Sequence, residues 1–297
     1  MKIAITGATG VIGTQTVALL SEKPDLELVC LTRGGTEMNE IFDSQALVRF
    51  VQTDYSVESL QNILTDVDMV VHLAAIRGGN SSKGYEAFSE NVTLMESILK
   101  AMVKANVKKI IYLSSISVYS DLDQMPWRED QQAVPVNFYG LSKLNCEMLC
   151  TLYKKFGISS LIFRTAHVLA FENRGYMLGI FLKNAAAGKP LSVNGKSEAH
   201  REFIYVKDVA RAIVWGIENP EVEGIFNLGS GEALTNYQVA ERINEAFQNN
   251  LITYKDDVSE GIVSSVMDSS KLNSLGFRTA FSFYEGAVDI KKDVFDL

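Results

Sequence analysis

The sequence predicts an α/β protein: a doubly wound parallel sheet with a smaller second domain interleaved towards the C-terminal end. Three observations carry this. Short continuous apolar runs alternate with longer helical patterns over the first 165 residues, the first run ends in a glycine-rich turn that opens a helix, and beyond Thr165 the rhythm loosens without a linker. The runs Lys2–Thr6, Leu26–Thr32, Leu47–Gln52, Asp68–Ala74, Lys109–Ser115 and Ser159–Thr165 read as strands covered on both faces, because they are apolar throughout rather than alternating. The segments between them are long enough for helical crossovers. In the helix expected over Glu86–Ala105, Phe88, Val92, Met95, Leu99 and Met102 recur at helical spacing, and in that over Tyr139–Phe156 so do Leu144, Met148, Leu152 and Phe156. Both stripes are expected to face the sheet. A polar, Gly-rich stretch from Glu172 to Gly179 leads into a helix that should stop near Gly188-Lys189-Pro190.

A chain of 297 residues with 47% hydrophobic and 22% charged residues is long enough to bury roughly three quarters of its unfolded surface. Its net charge of −8 repels phosphate backbones, which argues against nucleic acid or an anionic membrane as the main partner. Cys30, Cys146 and Cys150 have neither disulfide-framework nor metal-site spacing and read as reduced packing residues, so no metal is expected. The first strand begins at once, leaving no room for a leader, and no apolar run approaches the ~20 residues needed to span a bilayer. A cytoplasmic protein is therefore expected.

Directly after the first strand stands Thr6-Gly7-Ala8-Thr9-Gly10-Val11-Ile12-Gly13. Glycines at such spacing between a strand and a helix allow a tight turn, close approach of backbone N–H groups to a pyrophosphate, and close helix–strand packing, while the helix dipole favours an anion. This is a Rossmann-type dinucleotide site formed by Gly7, Thr9, Gly10, Val11, Ile12 and Gly13. The second strand ends Leu31-Thr32-Arg33 instead of in the carboxylate that accepts from a ribose 2′-OH, so NADP, whose 2′-phosphate an arginine can pair with, is expected over NAD. Asp54-Tyr55 after strand three is placed for the adenine edge. Leu73-Ala74-Ala75, with Arg77 beyond, is placed where backbone passes the cofactor.

Tyr139-Gly140-Leu141-Ser142-Lys143 stacks a phenol and an ammonium on one helix face. A free phenol, with a pKa of about 10, is a poor base near neutrality, but a neighbouring cation favours its phenolate, which can then exchange a proton with a substrate hydroxyl or carbonyl. Lys143 would also hold the ribose. The stretch Ile111-Tyr112-Leu113-Ser114-Ser115-Ile116-Ser117-Val118-Tyr119 puts hydroxyls at the C-terminal end of strand five, where open α/β sheets bind ligands.

Taken together, these motifs resemble the NAD(P)-dependent epimerase/dehydratase family of extended short-chain dehydrogenases/reductases. The resemblance runs in order from the glycine turn through His72-Leu73-Ala74-Ala75, Asn91-Val92, Ser114-Ser115, Val118-Tyr119, Tyr139 with Lys143, Arg164, Arg201-Glu202-Phe203-Ile204-Tyr205-Val206-Lys207-Asp208 and Phe226-Asn227-Leu228-Gly229-Ser230-Gly231 to Asp268-Ser269-Ser270-Lys271-Leu272. It implies Ser115 as the hydroxyl that orients the reacting oxygen, Tyr139 as acid/base and Lys143 as its tuner. It also implies residues 1–165 plus about 203–230 as the dinucleotide-binding domain, with 166–202 and 231–297 binding substrate.

The departures from the family pattern narrow the chemistry. Family dehydratases carry an Asp-Glu pair after the position of Ser115; Ile116 and Ser117 stand here, which argues against dehydration. His167 replaces the usual Asn after the sixth strand, and no second arginine precedes Asp268. Arg201 is left as the phosphate clamp, and Ser115, Ser117, His167 and Arg201 are the expected substrate contacts. His72 reads as a packed, hydrogen-bonded residue, His200 as either loop surface or substrate contact, Trp127 as either packing or substrate contact, and Asn91 as a structural or water-holding residue near the active site. The expected activity is epimerisation or oxidoreduction of a sugar-like, nucleotide-linked alcohol or carbonyl. The alternatives are an NADP-dependent reductase of a small ketone or aldehyde, and a non-catalytic NADP-sensing regulator, which the Tyr139/Lys143 pair disfavours. The resemblance further implies a homodimer joined through the helices around Glu86–Ala105 and Tyr139–Phe156.

Overall fold

A computed structural model describes residues 1–34, 48–77, 84–120, 124–171, 176–255, 257–259, 261 and 263–296. Strands β1 (Lys2–Thr6), β2 (Glu27–Thr32), β3 (Val48–Gln52), β4 (Met69–His72), β5 (Lys109–Ser115) and β6 (Ser159–Thr165) follow the apolar runs; Leu47 lies outside the described residues, as do 172–175 of the Gly-rich stretch. Helix α1 (Val11–Ser21) follows β1, α2 (Val57–Ile63) follows β3, α3 (Gly84–Ala105) follows β4, and α4 (Phe138–Tyr153) lies between β5 and β6. Then come β7 (His167–Leu169), α5 (Met177–Ala186), β8 (Leu191–Asn194), β9 (Arg201–Tyr205), α6 (Val206–Glu218), β10 (Gly224–Leu228), β11 (Ala233–Leu234), α7 (Asn236–Phe247), β12 (Ile252–Lys255), α8 (Ser270–Ser274) and α9 (Phe283–Phe295).

Among the described residues the central sheet has seven strands in the order β10-β6-β5-β4-β1-β2-β3, and the pairs β3–β2, β2–β1, β1–β4 and β4–β5 are parallel. This is the doubly wound sheet the alternation of runs and helices predicts. Its register puts Val51, Leu31, Thr6, His72 and Tyr112 in one row, so that the residues just beyond them, Thr32-Arg33, Gly7, Leu73 and Leu113–Ser115, emerge at one edge. The seventh strand, β10, has no apolar run to announce it: Gly224 opens it and Asn227 interrupts it.

Two expected boundaries shift. β4 stops at His72: the Leu73 amide still bonds Thr6 O at the end of β1, and the Ala74 amide then bonds the Thr6 hydroxyl instead of a backbone carbonyl. The chain thus leaves the sheet two residues early. The catalytic-region helix starts at Phe138 and ends at Tyr153, followed by a 3-10 turn over Lys154–Phe156.

A larger correction concerns the apolar stripe of α4. Met148, Leu152 and Phe156 are 62%, 51% and 49% exposed and do not face the sheet. The buried face of α4 carries Gly140, Ser142, Lys143, Cys146, Glu147 and Cys150 instead, because short side chains let the helix lie close to β5 while Lys143 and Glu147 find polar partners there. The stripe of α3 does turn inward at Met95, Leu99 and Met102, which join Leu94, Ile98, Tyr112, Cys146, Cys150 and Ile162 in one apolar cluster. All three cysteines are buried and unbridged, and burial pushes the Cys30 thiol up to about 12.

The chain divides into two compact units: Met1–Ser120, Gln132–Arg164 and Ala210–Phe226 form the first, and Asp121–Gln131, Thr165–Val209 and Asn227–Leu297 the second. In the second unit β9 lies between antiparallel β11 and parallel β7, and β8 pairs in parallel with β12. Glu202, fully buried, accepts from the amides of Gly231 and Met267, and burial raises its carboxyl pKa. Among the described residues no helix is long and apolar enough to cross a membrane.

Candidate active site

The turn between β1 and α1 is closed by its own glycines. Gly7 adopts φ +73°, which favours glycine, and a Cβ at Gly13 would lie 2.1 Å from Gly7 O. Gly10, the N-cap of α1, provides no side-chain cap, so the first amides of the helix face outward uncapped, an arrangement that receives phosphate oxygens. These residues fit a dinucleotide pyrophosphate.

Across the turn, Thr6 and His72 brace β1 to β4. The Thr6 hydroxyl accepts from the Ala74 amide at 3.3 Å and lies within hydrogen-bond distance, 2.6 Å, of His72 Nδ1. Burial, with Lys143 nearby, pulls the His72 pKa down to about 3, and its ring stacks on Tyr112 at 5.5 Å. His72 is a neutral structural brace that fixes the start of Leu73-Ala74-Ala75.

At the C-terminal end of β5, Ser115 caps a 3-10 turn over Ile116–Val118: its Oγ accepts from the Ser117 amide and lies 3.2 Å from Ser117 Oγ. Helix α4 comes over this point. A Cβ at Gly140 would sit 1.9 Å from Ser117 O, which is why the helix can approach. One turn on, buried Lys143 donates to Leu113 O at 2.8 Å and lies 4.9 Å from the Tyr112 ring centroid and 5.7 Å from that of Tyr139. Burial alone would raise the Tyr139 phenol. The charges of Lys143 and Arg77, together with hydrogen bonds to Arg77 and Ser115, outweigh it and hold the phenol below its ordinary value. Arg77, expected at the cofactor, thus also reaches the phenol.

Asn91, on α3, donates from Nδ2 to Ile76 O at 2.9 Å and to Ser142 Oγ at 3.1 Å, and its Oδ1 accepts from the Ile76 amide at 2.8 Å. It ties the segment carrying Arg77 to the helix carrying Tyr139. Beyond β2, Arg33 pairs with Glu90 at 3.5 Å and lies 5.7 Å from the Tyr55 ring centroid. Tyr55 itself is buried with its hydroxyl donating to Leu31 O at 3.1 Å, while Asp54 stays exposed and accepts from the Ser56 amide.

The second unit carries the other two expected contacts. His167 Nε2 lies 3.0 Å from Ser265 Oγ; Arg201 donates to Asn236 Oδ1 at 2.6 Å and lies over Phe203. Trp127 is buried, its carbonyl accepting from Asn227 Nδ2 and the Asp268 amide; His200 is exposed. Sequence reasoning gave Arg164 no role and passed over Glu147, which form a buried ion pair at 2.7 Å. A glutamate four residues after Lys143, on the same helix face, is the signal that could have found it.

The profile of the NAD dependent epimerase/dehydratase family matches residues 3–229. A UDP-N-acetylglucosamine 4-epimerase from Bacillus cereus is 37% identical and superposes with a TM-score of 0.87 over 98% of both chains. A UDP-glucose 4-epimerase from Corynebacterium glutamicum is 27% identical, covering 82% of this chain and 80% of its own. Low-salt glycan biosynthesis protein Agl12 of Haloferax volcanii is 28% identical over 96% of each. With the glycine turn, the Ser115–Tyr139–Lys143 constellation and this match in hand, the chain belongs to the NAD dependent epimerase/dehydratase family.

Proposed function

We propose that this enzyme is a nucleotide-sugar epimerase inverting the C4 centre of a UDP-hexose. One observation carries the reading: a phenol held below its ordinary pKa by two cations, hydrogen-bonded to Ser115, at the sheet edge where the glycine turn also emerges. The nicotinamide, when bound, supplies a reversible hydride acceptor. Tyr139 as phenolate takes the proton of the sugar hydroxyl, and Ser115 holds the same oxygen as it becomes a carbonyl. Lys143 favours the phenolate and holds the ribose. For the return step Tyr139 would give the proton back to the same oxygen as it becomes a hydroxyl of inverted configuration. Ile116 and Ser117 provide no acid/base pair for eliminating water, so the sugar keeps its hydroxyls.

The 37% identity to a protein described as a UDP-N-acetylglucosamine 4-epimerase makes that sugar nucleotide the first substrate to try. In this reading residues 1–165 with about 203–230 hold the dinucleotide, and 166–202 with 231–297 hold the substrate, through His167 and Arg201. The test is incubation with UDP-hexoses and either dinucleotide, followed by separation of the products. Appearance of the epimer supports the reading; loss of starting sugar with stoichiometric reduced dinucleotide counts against it.

Arg33 supports the finer reading that NADP is preferred. Its pairing with Glu90 is between groups more than half exposed and is worth under about 1 kcal/mol, so a 2′-phosphate can take its place. Thermal-shift titrations should show tighter NADP than NAD binding, lost in Arg33→Ala; tighter NAD binding by the unmodified protein refutes the preference. A homodimer is supported by the exposed stripe Phe138, Leu141, Met148, Leu152 and Phe156 beside exposed Tyr85 and Val103 of α3.

A further inference from the structure

We infer that the buried Glu147–Arg164 pair is a positioning element for the reaction: it sets the height of α4 over β5 and so the reach between Tyr139, Lys143 and Ser115. This inference rests on the proposed chemistry of that site. Both side chains are nearly inaccessible, at 2% and 4% exposure. Arg164, at the end of β6, forks onto Glu147: Nε to both oxygens at 3.1 and 3.2 Å, and Nη2 to Oε2 at 2.7 Å. Its Nη1 donates to Tyr119 Oη at 3.0 Å, just past the Ser115 turn, and the Ser114 hydroxyl donates to Glu147 Oε1. Two side chains, Arg164 from β6 and Ser114 from β5, therefore bond the one carboxylate on α4, and Tyr119, from beyond the turn after β5, holds Arg164.

The chain order makes this a register device. Along α4, Gly140 packs on Ser117 O, Lys143 bonds Leu113 O and Glu147 bonds the Ser114 side chain, so three successive turns of the helix are held to the strand end and the turn beyond it, with Ser115 lying between the residues held. Stability is a poor reason for such a pair, because well-packed apolar replacements of buried ion pairs are often neutral or stabilising. A bidentate fork, by contrast, fixes both distance and orientation. Neither residue is assigned a contact with sugar or dinucleotide.

The test uses the full-length protein with its dinucleotide. In Glu147→Gln/Arg164→Gln both charges and the fork are gone, while the amides can still bond Ser114 and Tyr119. A misplacement near 1 Å costs about 10²-fold in rate, so kcat on a UDP-hexose should fall about 10²-fold with KM for the sugar nearly unchanged. Arg164→Lys, which keeps the charge and is the more secure folder, should fall less. A second readout needs no sugar: the ultraviolet phenolate titration of Tyr139, taken as a difference against the same protein carrying Tyr139→Phe. The groups facing this phenol are Lys143 from α4, Arg77 from the segment after β4, and Ser115 and Tyr112 from β5. With α4 adrift, the midpoint should rise towards that of a free phenol. If the unmodified protein epimerises none of the sugars offered, the functional reading fails and the titration still decides this one. Folded variants with unchanged kcat and an unchanged Tyr139 midpoint overturn it.

Discussion

Tyr139 is one hydroxyl on a retained ring, so Tyr139→Phe isolates the proton transfer. Positioned acid/base catalysis is worth ~10² to 10⁴ in rate, and a kcat loss in that range with intact dinucleotide affinity is expected. Lys143→Ala should impair both turnover and binding, and Ser115→Ala turnover alone and less, since Ser117 Oγ lies 3.2 Å away. Steady-state rates beside dinucleotide titrations check that ordering. His72 gives a prediction about stability. Its folded pKa is about 3 against 6.5 unfolded, so the unfolded state binds the extra proton in between: the contribution is fully present above pH 6.5 and lost as pH falls towards the folded value. Denaturant unfolding between about pH 5 and 7 should show stability falling with acid by up to about 1.4 kcal/mol per pH unit from this residue, with a flatter profile in His72→Asn. The Tyr139/Lys143 spacing and the packed state of His72 were legible from residue type and neighbours. Arg77 at the phenol and the pairing of Arg164 with Glu147 were not, because both bring together segments distant in sequence.

On the scale of elements, α4 departs furthest from its expected packing. Periodicity marks a stripe but not its direction: the apolar residues Met148, Leu152 and Phe156 point out, and the face against β5 is built from glycine, serine, cysteine and a lysine–glutamate pair. A helix that exposes its apolar stripe calls for a partner, and a second copy is the proposed one. Light scattering at micromolar concentration should give a dimer mass, and Met148→Glu with Leu152→Glu should give a folded monomer by placing charges where the stripe must be buried. A monomer mass for the unmodified protein contradicts this. The parallel strands were legible because burial on both faces leaves continuous apolar runs. β10 was not, since glycine at one end and a buried asparagine break its run, and the Asn227 amide is satisfied by Trp127 O and Asp268 O far away in the chain.

For the whole molecule, the alternation of strands and helices put the dinucleotide turn, the Ser115 turn and the acid/base helix at one sheet edge, and this much followed from element order alone. Which sugar is bound did not, because the proposed substrate contacts His167 and Arg201 lie in the second unit, where the loosened rhythm marks no site and His167 departs from the family pattern. The central claim is that hydride leaves the sugar and returns to the same carbon of the same molecule. A UDP-hexose carrying deuterium at C4, incubated with the enzyme and its dinucleotide and followed by NMR, tests it. The account predicts that the C4 epimer forms with deuterium retained and no net build-up of reduced dinucleotide. An epimer whose C4 label has washed into solvent, or label accumulating on the dinucleotide while a keto-sugar is released, would contradict it.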